Sequence, residues 1–297
     1  MVPLLSIIIP LYNKQDYILK TLNSVLSQEF KDYEIVVIDD GSTDNSVQIV
    51  KNISDKRIRL FRKENGGAAS ARNLGVKMAQ GKWVLFLDAD DTLVENMLNM
   101  LADLIHKKCF ADVFSFNQFV ESDGKWYLRK RSYANGYILF PFLSYYKGKI
   151  YPGPGSTVIK RSIMLKEPYR EDLRRYEDTE NNFRLMRKYR FYACPKPLFS
   201  YNQDSLSASN RCRVIKEDYI CNLSPAGKSL FEQLAQYKLY KEACRTYPEY
   251  VEQLYGDIFK QRKIITTIYL LSLWWGFKRK VAKLLQKSNI LLRHCNR

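Results

Sequence analysis

The first third of the chain alternates short strand-like runs with segments of helical periodicity, and this alternation restricts the fold more than any other feature. The runs cover residues 4–11, 34–38, 58–62 and 83–87. Their length and their Ile, Leu and Val content are typical of strands buried on both faces of a sheet. Between the first two runs, Ile18, Leu22 and Val25 recur at helical spacing. The order strand–helix, repeated to a fourth strand, predicts an α/β fold with a parallel sheet covered by helices.

Polar residues follow three of these predicted strands. They are Tyr12-Asn13, Asp39-Asp40 and Asp88-Ala89-Asp90-Asp91. Parallel sheets of this kind bind ligands at the carboxyl ends of their strands. We therefore expect these polar side chains to converge on one crevice.

The acidic turn after the fourth strand brings three carboxylates, Asp88, Asp90 and Asp91, into four positions. Burying that much unpaired negative charge would be very costly. A hard divalent cation, held by one or two carboxylates and by substrate phosphates, would neutralise it. The alternative is a solvated acidic turn that caps the following helix.

Composition indicates a folded protein with an anionic partner. The hydrophobic content of 46% and the aromatic content of 13% are sufficient for a core and exclude a disordered chain. The net charge of +17 favours a polyanion, an anionic membrane surface or phosphorylated substrates. The six cysteines form no CxxC pair, so we expect free thiols in a reducing cytosol. The N-terminus enters a strand directly, and we expect no targeting segment.

The middle of the chain predicts further strands and helices with less regularity. A helix is expected over 94–107, and an Asp123-Gly124 turn would join strands 112–120 and 125–131. Residues 132–151 are aromatic and irregular. Further predicted elements are a strand at 157–159 followed by a short helix, an amphipathic helix after Glu177, and strands at 190–193 and 198–201.

Strand signals fade after the predicted boundary near residue 212. Residues 257–297 carry ten lysines and arginines and one acidic residue. Within them, the apolar segment 264–277 is too short to span a bilayer as a helix. Its tryptophans beside basic residues favour an interfacial helix on anionic lipid. A buried helix packed on the first domain is the alternative.

Five motifs in order over residues 4 to about 209 resemble family 2 glycosyltransferases, which have the GT-A fold. They are residues 6–10 followed by Tyr12-Asn13, the 39–44 turn, the small-residue segment 65–73, the DxD-like Asp88-Ala89-Asp90-Asp91, and the acidic pair Glu177-Asp178. The resemblance implies a GT-A, Rossmann-like, mostly parallel sheet flanked by helices, with a helical C-terminal extension. The implied glycosyltransferase domain covers 1–212, with a nucleotide-sugar half at about 1–110 and an acceptor half at about 111–212. A basic helical region would cover 213–297.

The resemblance also implies a nucleotide-sugar donor, most often UDP-linked, and a role for each matching residue. Asp40 would accept the ring N–H of the base. Arg72 would face the diphosphate, since a guanidinium fork suits phosphate oxygens. Asp88 would contact the ribose or the metal shell, and Asp90 would bind Mn²⁺ or Mg²⁺. The donor site would be completed by Pro10, Tyr12, Asn13, Asp39 and Ala89.

The late acidic pair would supply the catalytic base. Asp178 would take the proton from the acceptor hydroxyl, with its neighbour Glu177 as the second candidate for that role. The family implies a single displacement with inversion. Simpler interpretations also stand: a helix-capping turn for Asp39-Asp40, a surface salt bridge for Arg72, and acids placed at a helix start for the pair.

The chain departs from the family pattern at two places. Many relatives have an Arg or His in the loop at 201–207, where this chain has Asp204. The Gln-x-x-Arg-Trp motif and the transmembrane helices of processive synthases are also missing. We therefore expect a non-processive enzyme that extends a cell-surface glycan or lipid-linked acceptor at the inner face of the membrane. A nucleotidyltransferase and an inactive GT-A scaffold are the alternatives, and nucleic-acid binding is disfavoured.

Overall fold

A computed structural model describes residues 2–130, 132–203, 218–219, 223 and 228–246. The chain divides into two compact units, residues 1–223 and 224–297. The predicted boundary near 212, the loop position Asp204 and the basic segment 257–297 lie outside the described residues. Among the described residues, no helix combines the length and the apolar character that a membrane span requires.

The first third of the chain folds in the predicted order of strands and helices. Its elements are β1 (Leu5–Leu11), α1 (Ile18–Leu26), β2 (Tyr33–Asp39), α2 (Ser46–Lys51), β3 (Ile58–Arg62), α3 (Ala68–Met78) and β4 (Trp83–Phe86). β1 pairs in parallel with both β2 and β4, and β2 pairs in parallel with β3. Ile7, Ile8 and Ile9 are fully buried. Successive strand residues point to opposite faces, so burial of all three means that both faces of the sheet are covered.

The remaining elements add strands to this sheet and further helices. They are β5 (Thr92–Leu93), α4 (Met97–Lys107), β6 (Val113–Ser122), β7 (Lys125–Leu128), β8 (Gly136–Ile138), α5 (Pro141–Tyr146), β9 (Thr157–Lys160), α6 (Arg161–Met164), α7 (Glu177–Lys188) and β10 (Phe191–Asn202). In the second unit, α8 spans Leu230–Thr246. The strand order is β3-β2-β1-β4-β9-β6-β10-β5, with β7 beside β6 and β8 beside β10.

The predicted α/β class, a central sheet flanked by helices, is confirmed. The first four strands are parallel. Beyond them the directions are mixed, because β9 is antiparallel to both β4 and β6, whereas β10 is parallel to β6. The carboxyl ends of β1, β2 and β4 therefore meet at one edge, as the sequence predicted.

The hairpin between β6 and β7 forms at the predicted turn, with Asp123 and Gly124 at φ of 51° and 69°. The two strands predicted at 190–193 and 198–201 are in fact one strand, β10. Its register against β6 shifts between Cys194 and Phe199. Pro195 and Pro197 lie in this interval, and their missing N–H groups explain why the ladder is interrupted but the strand continues.

The interval 132–151, predicted to be irregular, contains the short elements β8 and α5. β8 has only three residues and exists through its antiparallel pairing with β10. Helix α4 begins at Met97 rather than at 94, because Asn96 before it has a left-handed φ of 57°. Periodicity within a window detects neither the distant pairing partner nor this backbone turn.

A buried glycine sets the distance between β1 and the start of β4. A Cβ atom at Gly81 would lie 2.6 Å from the backbone N of Ser6. The same place holds Glu34, whose buried carboxylate accepts hydrogen bonds from the Ser6 hydroxyl and from Arg59. Because the contact is with backbone, a side chain at Gly81 requires the strand itself to move.

We expect Gly81→Ala to lower the free energy of unfolding by about 1–3 kcal/mol, the usual cost of overpacking a well-packed core. Urea unfolding followed by circular dichroism measures this. Gly153→Ala is the matched control, because a Cβ there meets its nearest atom at an ordinary 3.5 Å. Equal stability of Gly81→Ala and the control would contradict the packing argument.

Candidate active site

The carboxyl edge of the parallel strands carries the acidic residues, and α3 and α7 complete the site. The turn after β4 contributes Asp88 and Asp90, and the end of β2 contributes Asp39 and Asp40. Helix α3 carries Arg72. Helix α7 begins at Glu177 and follows it with Asp178. The structure therefore brings the late acidic pair, distant in sequence, to the same edge as the early ones.

Arg72 connects these elements. Its guanidinium donates from Nη1 to Glu177 Oε1 at 2.7 Å and from Nη2 to Asp88 Oδ1 at 2.9 Å. The residue is only 4% exposed, and its guanidinium lies 5.5 Å from the ring centre of Tyr169. Burial alone would lower the pKa of Arg72, but Asp88 and Glu177 raise it, so the group is a permanent cation. Arg72 does form a salt bridge, as the simpler interpretation had it, but its guanidinium is buried rather than on the surface, and the Asp88 side chain is 35% exposed.

Asp40 is held by the loop between β3 and α3. Its Oδ1 accepts from Lys63 Nζ at 2.7 Å and from the Gly66 N–H at 2.9 Å. Its Oδ2 accepts from the Gly67 N–H at 2.7 Å. A carboxylate oxygen has two acceptor sites, so Oδ2 keeps one for a further donor. This arrangement is compatible with the predicted contact to a base N–H.

Asp39 is buried and contacts other residues of the protein. It is completely buried, and its Oδ1 accepts from the Ser42 N–H at 3.0 Å. Arg62 Nε lies 3.1 Å from its Oδ2, in an ion-pair contact without hydrogen-bond geometry. Helix α2 begins at Ser46 with Asn45 as its N-cap residue, so neither Asp39 nor Asp40 is that N-cap.

The other predicted donor-site residues lie at the same edge. Pro10 faces Ile38 across the β1–β2 pairing, and Tyr12 is 44% exposed just beyond it. Asn13 has a left-handed φ of 51°, and its side-chain oxygen accepts from the Thr43 N–H at 2.9 Å. Ala89 is buried in the acidic turn. No observation tests what these residues bind, and their roles stay predictions.

The three aspartates after β4 have different neighbours. Asp90 Oδ2 accepts from Lys14 Nζ at 2.5 Å. Asp91 is buried and accepts from the Asn202 N–H at the end of β10 at 3.0 Å. Burial, then the charges of Asp88 and Asp90, hold the pKa of Asp91 well above its usual range. Since α4 begins only at Met97, the interpretation of this turn as a helix cap is wrong.

The acidic turn fits a divalent cation only in combination with a ligand. In the described part of the chain, no three His, Cys, Asp or Glu side chains come together around one point. Asp88 and Asp90 can supply one or two carboxylates, and Mg²⁺ or Mn²⁺ at such sites takes its other ligands from water and substrate phosphates. Burial raises the pKa of Asp91, and the neighbouring negative charges of Asp88 and Asp90 raise it further; a cation in this turn would offset those charges.

Asp178 has the environment of a base that works near neutral pH. Its Oδ1 accepts from the Thr179 N–H at 2.7 Å at the start of α7. Burial, followed by the neighbouring charge of Glu177, raises the pKa of Asp178 to about 6. Gly153 leaves space beside its Oδ2, since a Cβ there would be 3.5 Å away. The helix-start interpretation is also correct, because both acids lie in the first turn of α7.

Sequence reasoning missed several supporting residues. Asn73 exchanges hydrogen bonds with the backbone of Tyr169 in both directions and also donates to Glu171. It thereby holds Tyr169 against Arg72. Its place next to Arg72 in the 65–73 motif was an available signal. Lys14 and Asn202 gave no such signal, because their partners lie 76 and 111 residues away.

Comparison with known proteins identifies the family of the chain. The family model described as Glycosyl transferase family 2 matches residues 6–172. The chain is 38% identical to the glycosyltransferase GlyG of Streptococcus pneumoniae over 129 residues, covering 42% of each chain. It is 37% identical to a hyaluronan synthase of Pasteurella multocida over 139 residues, which cover 46% of this chain and 14% of that one. The chain thus spans less than half the length of these curated relatives.

Among solved structures, a crystal structure of S. aureus TarS in complex with UDP-GlcNAc is similar. Its TM-score is 0.67 at 21% sequence identity, with 88% of this chain and 78% of that chain covered. At this identity the similarity concerns the fold alone.

We expect Asp178→Asn to raise the free energy of unfolding at pH 8. The folded-state pKa of about 6 exceeds the ordinary value of 3.8, so the ionised carboxylate destabilises the fold at high pH. Two pKa units correspond to roughly 3 kcal/mol, which is an upper bound here. The gain should shrink as pH falls through 6 and vanish below about pH 4. Urea unfolding across this range measures it, with exposed Asp16→Asn as control. A gain independent of pH would contradict the assignment.

Proposed function

Because the chain belongs to glycosyl transferase family 2, we propose that it transfers a sugar from a nucleotide-sugar to an acceptor hydroxyl, with inversion and with a divalent metal. One observation carries this proposal. The Arg72 bridge holds Asp88 of the β4 turn and Glu177 of α7 on one guanidinium, with Asp178 next in the chain. A donor-binding turn and a candidate base are thereby fixed at the same edge of the sheet.

The proposed donor is a UDP-sugar. Asp40 keeps an acceptor site on Oδ2, suited to a ring N–H of uracil. Pro10, Tyr12 and Asp39 lie around the same strand ends. TarS, which shares the fold, has been solved with UDP and with UDP-GlcNAc. These facts support UDP as the nucleotide and leave the sugar open.

Asp178 is the proposed catalytic base. A carboxylate of pKa about 6 is ionised at pH 7 and still basic enough to take the proton of a hydroxyl as that oxygen attacks the anomeric carbon. The nucleoside diphosphate leaves from the opposite face, so the configuration inverts. Glu177 stays paired with Arg72, and its negative charge keeps the Asp178 proton affinity high.

Asp88 and Asp90 are the proposed metal-binding residues. A bound Mn²⁺ or Mg²⁺ would offset the negative charge that develops on the leaving diphosphate. An ion pair with Lys14 neutralises Asp90, and this pair would have to open before Asp90 could bind a metal ion. The proposed role of Arg72 is to orient phosphate oxygens; its buried Nε has no hydrogen-bond partner among the described residues.

The proposed acceptor is a cell-surface glycan or a lipid-linked saccharide. Relatives named as hyaluronan and chondroitin synthases point to polysaccharide synthesis. We propose a non-processive enzyme, since the sequence lacks the Gln-x-x-Arg-Trp motif. The proposed attachment to an anionic inner membrane surface rests on the basic composition of residues 257–297.

Two alternatives differ in their products. A nucleotidyltransferase would release pyrophosphate, whereas the proposed reaction releases UDP. An inactive scaffold would release neither while still binding ligand. Chromatography of the products from two mixtures with Mn²⁺, one of UDP-sugars with an acceptor and one of UTP with sugar 1-phosphates, distinguishes the three.

We expect Asp178→Asn to reduce transfer by at least about 10²-fold, because the acceptor proton has no local base. UDP binding should remain. For the unmodified chain, kcat/KM should fall below about pH 6 as Asp178 becomes protonated. The measurement is UDP release against pH, with Asp16→Asn as control. Full activity of Asp178→Asn would rule out Asp178 as the base.

We expect Asp90→Asn to remove the contribution of Mn²⁺ to UDP binding. Ligands that bind only the folded state raise the melting temperature by mass action. In the unmodified chain, the rise with UDP should be larger when Mn²⁺ is present. Differential scanning fluorimetry of UDP, Mn²⁺ and their mixture measures this without turnover. If Mn²⁺ increased the UDP-induced rise in melting temperature as much in Asp90→Asn as in Asp16→Asn, a metal role for Asp90 would be contradicted.

A further inference from the structure

Three cations lie together on two adjoining segments of the acceptor half. The segment that holds residues 129–130 and 132–134 meets the segment 147–151, where the Ala134 N–H donates to the Lys149 carbonyl at 2.7 Å. The Lys130 ammonium lies against Gly148 of the second segment. We name the three cations the cationic strip: Arg129, Lys130 and Lys149.

The cationic strip has no carboxylate partner in the part of the chain that the structure describes. The Arg129 guanidinium stacks on Tyr151, with its centre 4.1 Å from the ring centre. Lys149 donates to the hydroxyl of Ser132. Other cations near the site are neutralised, as Lys14 is by Asp90. Stacking holds the Arg129 plane in place and leaves its N–H edge available to a fork-shaped anion.

The stacking partner of Arg129 leads along the chain toward the proposed base. Tyr151, under Arg129, precedes Gly153 by two residues. Gly153 is the residue whose added Cβ would lie 3.5 Å from Asp178 Oδ2. Arg129 is therefore connected to the proposed base through Tyr151 and Gly153.

A second connection leads from Arg129 toward the acidic turn. Burial raises the pKa of the Tyr201 phenol, and the charges of Asp91, Asp90 and Asp88 raise it further, whereas Arg129 lowers it. One phenol thus lies within electrostatic range of both Arg129 and the aspartates.

The charge balance of this region favours an anionic ligand. Residues 121–151 contain six lysines and arginines and two acidic residues. One of those acids, Glu121, is already paired with Lys20. On the β4 side, the proposed donor would be bound by Arg72, Asp88 and Asp90. On the basis of the proposed function, we propose that the cationic strip binds an anionic group of the acceptor glycan, a phosphate or a carboxylate, beside the catalytic base.

The binding test compares two variants of equal charge. One removes the cationic strip by Arg129→Gln, Lys130→Gln and Lys149→Gln. The control replaces three exposed cations at the opposite edge, where β4 and β10 begin, by Lys82→Gln, Lys107→Gln and Arg190→Gln. Both full-length variants lose three charges, so non-specific attraction to a polyanion falls equally.

Affinity electrophoresis would use polygalacturonate, poly(glycerol phosphate) and neutral dextran, with UDP and Mn²⁺ present at about 100 mM salt. We expect one or both polyanions, but not dextran, to retard the unmodified chain and the control. The strip variant should bind about tenfold more weakly, equivalent to about 1.4 kcal/mol. Retardation by polygalacturonate would identify a carboxylate as the ligand, and retardation by poly(glycerol phosphate) would identify a phosphate. Equal weakening in both variants, or no retardation by either polyanion, would overturn the proposal.

A single substitution separates the acceptor from the donor. Arg129→Gln should raise KM about tenfold for an oligosaccharide acceptor prepared from the polymer that retards the unmodified chain. Arg129→Lys should recover part of that lost affinity. The melting-temperature rise with UDP should be unchanged. Loss of that rise in Arg129→Gln would assign Arg129 to the donor and overturn the proposal. Absence of the rise in the unmodified chain would instead contradict the proposed donor, and with it the proposed function.

Discussion

The site depends on one buried cation shared between two carboxylates. Arg72 joins Asp88 of the β4 turn to Glu177, which lies 105 residues away from it. Removing either acid would leave a buried charge poorly compensated, which is strongly destabilising. Removing the arginine would leave Glu177 and Asp88 facing each other and Asp178. A buried ion pair is weak evidence for net stability, so the bridge is better understood as fixing the distance between two parts of the sheet edge.

Two aspartates at this edge have different surroundings. Asp40 accepts hydrogen bonds from two backbone N–H groups and a lysine ammonium. Asp178 receives one backbone N–H and lies beside the negative charge of Glu177. Burial without enough donors raises its pKa, which is the condition that a base near neutral pH requires. Burial and the Glu177 charge therefore set the pKa of Asp178.

Sequence periodicity predicted what local contacts determine. The order of β1 to β4, the Asp123-Gly124 hairpin and the start of α7 near Glu177 all follow from neighbouring residues. The interval 132–151 was unpredictable because β8 exists only through pairing with β10. The motifs placed the acids near one another, but not their partners. Asp91 and Asn202 are 111 residues apart in the sequence, and no pattern within a single segment predicts their contact.

Cations at this edge fall into two groups with different consequences for ligands. Carboxylates neutralise Arg72 and Lys14, so a diphosphate bound at either cation would have to compete with those acids. A divalent cation bound to the acids would relieve this competition, which is a physical reason for metal and nucleotide to bind together. Arg129 is stacked on Tyr151 and has no acidic competitor among the described residues. An anion on the acceptor would meet an open cation without any metal, so the two substrates need not share one source of positive charge.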